Sequence, residues 1–304
     1  MAKFGVIGLG FVGSSWATVL AERSKSSYDV IVMDTALGVA QRLGHKLGCH
    51  SLSDPMSTQG KLAPAINFIA VPTPMNPDGS CNLSYVHSAL EGLSAGSIAV
   101  IKSTMPPGTT ARLSQEFPSL QIVFSPEFLT EANALKDVRE QKRIILGGPR
   151  QAVNRVQAQL RGIFPDAAFV KTSAANAEMT KYVTNCFLAT KVSFANEIFQ
   201  ICSKLAAGGV DIDYDRVIEC VKLDPRVGGS HWSVPSFECD AKGDPLFGFS
   251  LSCFPKDINA LISLAKALDV NPLVLKAAWE KNVEVRPSKD WEALEGRAVT
   301  KKTS

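Results

Sequence analysis

The sequence predicts an α/β fold: a doubly wound parallel sheet at the N-terminus, then a long connecting helix and a small all-helical domain. Three observations carry this. A glycine fingerprint follows the first apolar run, apolar runs then alternate with helix-like segments up to residue 170, and a proline-free stretch with helical apolar spacing begins at Ser173. The expected boundary divides residues 1–172 from 173–304.

The first strand is Phe4 to Ile7, a continuous apolar run of the kind that parallel sheets bury on both faces. Gly8, Gly10 and Gly13 follow in KFGVIGLGFVGSSWATVLA, with Phe11 and Val12 between them at the start of a helix. These glycines permit a tight turn, close approach of the backbone to a pyrophosphate and packing of helix on sheet, and the helix offers its free amides to phosphate. The second strand, Val30 to Met33, ends at Asp34, where a carboxylate binds both ribose hydroxyls and repels a 2'-phosphate. The expected cofactor is therefore NAD, with Arg42 downstream discounted. Further strands are expected at Asn67 to Val71, Ile98 to Lys102, Gln121 to Phe124, Arg143 to Leu146 and Ala168 to Val170. The turns VPTPMNPDG, KSTMPPGTT and SPEFLTEA leave the ends of three of them, where ligands of such Rossmann-type sheets bind.

From Ser173 to about Ala207 one helix of about 30 residues is expected, roughly 45 Å long. Shorter helices follow at about 212–222, 255–268 and 272–285. A structured loop, rich in glycine, proline and serine, fills Asp224 to Ser252, and the tail AVTKKTS is expected to fray.

Composition excludes several classes. A net charge of +3 with interspersed signs does not argue for nucleic acid, and no run reaches membrane-spanning length. Cysteines 49, 81, 186, 202, 220, 239 and 253 are odd in number and contain no CxxC pair, so neither a disulfide framework nor a zinc site is expected. The expected compartment is the reducing cytoplasm. His231 has no partner at ligand spacing, and no metal is expected.

Cys253 stands in SCFPKD. A nicotinamide enzyme moves one hydride without a thiol, but a thiol can hold an aldehyde as a thiohemiacetal and allow a second oxidation to a thioester. The pairing points from alcohol to acid.

The motifs KFGVIGLGFVG, IAVPTPMNPDGSCNLSYV, IKSTMPPGT, SPEFLTEANALKD, AEMTKYVTNCFLATKVSFANEI and SCFPKDINAL, in this order, resemble the UDP-glucose/GDP-mannose dehydrogenase family over roughly residues 1–270. The resemblance implies oxidation of the C6 alcohol of a nucleotide sugar, most simply UDP-glucose, by two NAD molecules. It implies Cys253 as nucleophile, and Lys181 and Asn185, one helical turn apart, as donors to the thiohemiacetal oxygen. Glu127 takes general acid/base work and Glu131 lies near the water or reacting carbon, the two sharing a face if the turn after Pro126 is helical. Thr104 and Asp257 position the hydrolytic water. Thr73 and Ser103 line the nicotinamide side, Lys256 lies near cofactor or substrate, and Phe128 and Leu129 contact substrate. Arg226 resembles an arginine that reaches the substrate of a neighbouring subunit across a twofold homodimer centred on the long helix; a surface ion pair is the other reading.

Two departures stand out. Longer family members carry a third, nucleotide-gripping domain, whereas about 35 residues follow Asp269 here, so the expectation is a short form without it. The family's GFGGxC reads Gly248, Phe249, Ser250, Leu251, Ser252, Cys253, which puts side chains where positive φ is expected. The competing readings are a β-hydroxyacid dehydrogenase that uses one hydride and a lysine base, and a catalytically idle NAD- or sugar-binding protein.

Overall fold

A computed structural model describes residues 3–52, 64–236, 239–240 and 242–301. The chain forms two compact units. The first comprises 1–73 and 82–181; the second takes 74–81 and 182–304. The first unit thus runs past residue 172 into the long helix, and it gives up one turn to the second.

The first unit is built on strands β1 (Phe4–Ile7), β2 (Val30–Met33), β3 (His50–Leu52), β4 (Ile66–Ile69), β5 (Ile98–Ile101), β6 (Gln121–Phe124), β7 (Arg143–Gly147) and β8 (Ala168–Thr172). They form one sheet in the order β3-β2-β1-β4-β5-β6-β7-β8. The first six run parallel, but β7 meets β6 antiparallel and carries β8 parallel to itself. The sheet is therefore parallel as expected except for one reversal at β7. An apolar run encodes burial, not direction, and the β6–β7 contact is a single register pair, Phe124 with Gly147. The short strand β3, HSL, is an edge strand that apolar patterning does not announce.

Helices α1 (Phe11–Arg23), α2 (Leu37–Leu47), α3 (Ser84–Glu91), α4 (Thr109–Glu116), α5 (Ala134–Arg139) and α6 (Arg150–Ile163) cover the sheet. One core cluster gathers Val6, Trp16, Leu20, Val32, Phe68 and Val100, and another gathers Ile7, Ile31, Met33, Ile69, Leu90 and Phe124. Neighbours in sequence divide between the two clusters because successive strand side chains point to opposite faces. Each large side chain buried this way contributes about 1.5–3 kcal/mol.

Helix α7 (Ala174–Ala207) is continuous over 34 residues, as the absence of proline predicts. In the second unit it is followed by α8 (Tyr214–Val221), α9 (Phe254–Ala267) and α10 (Leu273–Val285). The Asp213 carboxylate accepts the Arg216 amide and caps α8, and Pro255 sits in the first turn of α9, where its missing N–H costs nothing. Two clusters form this core: Cys186, Ala189, Phe249, Ile258 and Ile262, and Ala195, Cys202, Tyr214, Ile218 and Trp232. The loop before α9 is ordered as expected; Phe237, Glu238 and Ala241 fall outside the described residues.

The tail does not fray where expected. Ala298 is buried, and Met75 exchanges backbone hydrogen bonds with Ala298 and Thr300, each of 2.9 Å. Pairing to the 74–81 turn satisfies backbone groups that a loose tail would leave to water. Residues 302–304 lie outside the described residues. Among the described residues no helix is long and apolar enough to cross a membrane.

Candidate active site

The glycine turn of the first unit has the properties a dinucleotide needs. Gly8 adopts φ +83°, and a Cβ there would lie 2.8 Å from the Ala70 carbonyl oxygen. A Cβ at Gly13 would lie 1.8 Å from the Gly8 carbonyl oxygen, so strand and helix could not close. Around Gly10, by contrast, a Cβ would meet nothing within 4 Å, and the start of α1 has no side-chain cap. Open space beside uncapped amides is where a pyrophosphate fits. Phe11 and Val12, both half-buried, form the first turn of α1. Asp34 closes the turn from β2: its Oδ2 accepts the Leu9 amide at 2.8 Å and its Oδ1 the Ala36 amide at 2.9 Å. The residues present fit NAD.

At the ends of β4, β5 and β6 the polar groups are buried and held. Thr73, Ser103 and Thr104 are all buried, and the Ser103 hydroxyl donates to the Val71 carbonyl at 2.7 Å. Glu127 is buried among donors. The Lys102 ammonium lies 3.1 Å from its Oε2, the Trp16 indole N–H donates to the same oxygen, and the Phe128 amide donates to Oε1 at 3.1 Å. Lys102 also lies over the Trp16 ring, 4.1 Å from its centroid, and donates to the Ser125 hydroxyl at 3.2 Å. Lys181, from α7, donates to the Glu127 carbonyl. Burial pushes the Lys102 pKa below the usual lysine value; Glu127 opposes that and Lys181 adds to it.

Glu131 does not join this cluster. Residues 125–130 are not helical, so the expected pairing of Glu127 and Glu131 on one helical face is wrong. Residues 125–130 belong to no helix or strand, and Thr130, in an extended conformation, opens the 3-10 turn Glu131–Asn133. Glu131 is exposed there. Phe128 and Leu129 are half-buried and pack on the two core clusters, with the Arg143 guanidinium 4.5 Å from the Phe128 ring centroid.

Sequence reading missed Lys102 and Trp16 as site residues. Lys102 had a signal, since it is a charged residue closing an otherwise apolar strand directly before Ser103 and Thr104; Trp16 had none beyond helical spacing. Glu178 was missed too. Fully buried on α7, it accepts from the Gly108 amide, the Thr110 amide and the Thr110 hydroxyl at 2.7, 2.7 and 2.6 Å, so it caps α4 and fixes the 103–110 turn. Burial pushes its pKa up.

In the second unit Cys253 is the residue immediately before the first turn of α9, at the positive end of the helix dipole. Three residues on, the Lys256 ammonium pairs with Asp257 Oδ1, and Asn185 Nδ2 donates to Asp257 Oδ2 at 2.6 Å. Asp257 is thus buried with both oxygens engaged. Burial works to lower the Lys256 pKa, but Asp257 and the thiols of Cys253 and Cys81 outweigh it, and the ammonium is held above its ordinary value. Lys181 and Asn185 are one turn apart on α7, as expected. The Cys186 thiol beside Asp257 is pushed far up by burial.

Arg226 makes a bidentate pair with Asp224, Nε to Oδ1 at 2.9 Å and Nη2 to Oδ2, on the surface. His231 is half-buried, with its pKa pushed down by burial and by Lys191. Among the described residues no group of three His, Cys, Asp or Glu side chains could hold a metal ion. Leu251 holds φ +61° and Gly248 φ +69°, so the loop keeps the positive φ angles expected of glycines although one position is leucine.

Comparison with known proteins places these features. The NAD binding domain of the UDP-glucose/GDP-mannose dehydrogenase family matches residues 2–164, and the central domain of that family matches 175–284. UDP-glucose 6-dehydrogenase TuaD of Bacillus subtilis (strain 168) is 30% identical over 311 residues, which cover 94% of this chain and 64% of the relative. A UDP-glucose 6-dehydrogenase of Rickettsia bellii is 34% identical over 236 residues, covering 73% of this chain and 49% of the relative. A UDP-glucose dehydrogenase structure from the archaeon Pyrobaculum islandicum superposes with a TM-score of 0.77 at 31% identity, over 93% of this chain and 68% of that one. The chain therefore spans about half to two thirds of the length of these relatives. With both domains matched in order, the chain belongs to the UDP-glucose/GDP-mannose dehydrogenase family.

Proposed function

We propose that the protein oxidises the C6 alcohol of a nucleotide sugar, UDP-glucose, to the uronic acid through a covalent bond to Cys253. The observation that carries this reading is a cysteine at the head of α9 with the Lys256 ammonium beside it, in a chain whose first unit is a family NAD-binding domain. NAD, when bound, takes up a hydride in each of two oxidations. The first leaves an aldehyde and one proton. The Cys253 sulfur adds to the aldehyde carbon, and its proton ends on the oxygen of the thiohemiacetal. Lys181 and Asn185 donate to that oxygen while it carries charge. Departure of the second hydride, with loss of the hydroxyl proton to solvent, leaves a thioester. Water attacks it with Glu127 accepting the proton and Thr104 and Asp257 orienting the water; the acid leaves and the thiol is restored. Two hydrides and one water are used per alcohol.

NADH counted per mole of UDP-glucose tests this. Two, with acid formation lost in Cys253→Ser, supports the proposal; one indicates a β-hydroxyacid-type reaction, and none an idle binding protein.

The same reading pairs two copies through α7. Met179, Val183, Phe187, Phe194, Ile201 and Leu205 fall within about 80° of the helix circumference, counted at 3.6 residues per turn, and they remain 37–65% exposed. A twofold mate covers such a stripe, with Arg226 reaching the other copy's substrate. A monomer mass in light scattering at micromolar concentration, with full activity, would remove both.

A further inference from the structure

The segment that leads into Cys253 is held from three directions within the second unit. Gly248 donates its amide to Asn196 Oδ1 at 3.3 Å. Phe249 donates its amide to Asn282 Oδ1 at 2.6 Å and accepts at its carbonyl from Asn282 Nδ2 at 3.0 Å. One amide side chain thereby satisfies both backbone groups of one residue, and the two bonds together fix which way the amide points. Arg286 donates to the Phe247 carbonyl at 3.2 Å through Nη1. Its remaining edge is locked by Asp290, Nε to Oδ1 and Nη2 to Oδ2, each 2.7 Å.

Asn282, in the last turn of α10, and Arg286, the residue that caps its end, are both buried. A polar amide and a guanidinium in such a place are costly unless every bond is made, and here the bonds go to backbone of the nucleophile segment. Gly248 has no side chain because a Cβ there would lie 2.4 Å from Asn282 Oδ1. Beyond the clamp, Leu251 holds a left-handed φ of +61° two residues before Cys253. Such a conformation persists in a non-glycine residue only when its surroundings over-determine it.

We propose that Asn282 and Arg286 are positioning residues for Cys253: from α10 they fix residues 247–249 and so hold the sulfur at the head of α9. The proposal deepens the catalytic reading above, and its test needs no turnover. The rate at which iodoacetamide alkylates Cys253 at pH 7.5 is compared with that at Cys186 by mass spectrometry, in the full-length chain and in its Asn282→Ala, Asn282→Asp and Arg286→Lys variants. Loss of two hydrogen bonds should slow Cys253 about tenfold in Asn282→Ala, and loss of one about threefold in the other two. Cys186 and NAD affinity should stay unchanged. General loosening moves the other way, since it exposes buried thiols and accelerates both. If Asn282→Ala does not fold, the milder variants carry the test. Unchanged or faster alkylation of Cys253 in folded variants overturns the proposal. If wild-type protein oxidises no UDP-glucose but the alkylation pattern holds, the catalytic reading falls and the positioning role stands. If UDP-glucose is oxidised, the same variants should lower kcat with the KM for NAD unchanged.

Discussion

The two units each bury a lysine against a carboxylate, and the two lysines behave in opposite ways. Lys102 and Glu127 are 2% and 8% exposed in their side chains; Lys256 and Asp257 are 12% and 1%. Burial wins at Lys102, helped by Lys181, and its pKa falls. At Lys256 the carboxylate and two thiols win, and its pKa rises. A single counter-ion therefore does not decide the direction of a buried lysine's shift; the balance of burial against all its neighbours does. Lys102 also lies over an indole that bonds the same carboxylate, so that pair acts as a scaffold for Glu127. Lys256 instead draws on Asp257 first, with Cys253 and Cys81 adding to it.

The largest effect expected from this contrast is at Lys102. Lys102→Met leaves a buried Glu127 carboxylate without its cation, and stability measured in urea should drop by about 3–5 kcal/mol. Adding Glu127→Gln should recover most of it; no recovery would mean that Lys102 acts through packing on Trp16.

Lys256→Met should cost about 1.5–3 kcal/mol at pH 8, the worth of a hydrogen bond to a charged group. The pH dependence separates the pairs. The folded chain holds the Lys256 proton more tightly than the unfolded chain, so its contribution is full below about pH 10.4 and fades as pH climbs through the folded value. The gap between Lys256→Met and wild type should therefore narrow above that pH. At Lys102 the folded chain releases its proton first, so the cost of its buried charge eases as pH rises. Parallel pH profiles for the two methionine variants would break the contrast.

Asp34 extends the comparison to a carboxylate held, among the described residues, by the Leu9 and Ala36 backbone amides. Asp34→Ala should weaken NAD about tenfold, or ~1.4 kcal/mol, and narrow its advantage over NADP. Equal binding of both cofactors by the unaltered protein would remove the role of Asp34.

The smallest effect is expected in the second unit, where one residue carries strain. Leu251→Gly relieves a left-handed φ worth about 1–2 kcal/mol but adds about 0.5–1 kcal/mol of chain entropy to the unfolded state. A net gain of under about 1 kcal/mol should appear as a slightly higher unfolding midpoint; a loss would show that the leucine side chain makes contacts that outweigh its backbone cost.

The contrast also explains what was legible in the sequence. In the first unit the site hangs from strand ends, and an apolar run that stops at a glycine or an acid announces both the strand and its terminal group. Gly8, Asp34 and Ser103 were readable for that reason. The Trp16–Glu127 bond spans 111 residues and leaves no local trace. Direction was equally silent, so the reversal at β7 went unread. Cys253, Asp257 and the Lys181–Asn185 spacing were visible as motifs on or next to helices. Asn282 and Arg286 were not, because a polar residue inside an amphipathic helix reads as solvent-facing until the fold shows what it meets. The pairing of Glu127 with Glu131 rested on a helical turn after Pro126, and residues 125–130 form none.

The turn 74–81 lies early in the chain but belongs to the second unit, where Met75 pairs with residues near 298–300. During synthesis this turn emerges from the ribosome more than two hundred residues ahead of its partner strand. At about 5–20 residues per second the wait lasts roughly 10–45 s, long against the microseconds in which local structure forms. The second unit is thus completed by a segment made long after the turn, and a chain cut short before residue 298 would be left with an unpaired strand edge at Met75, a template for aggregation rather than a site.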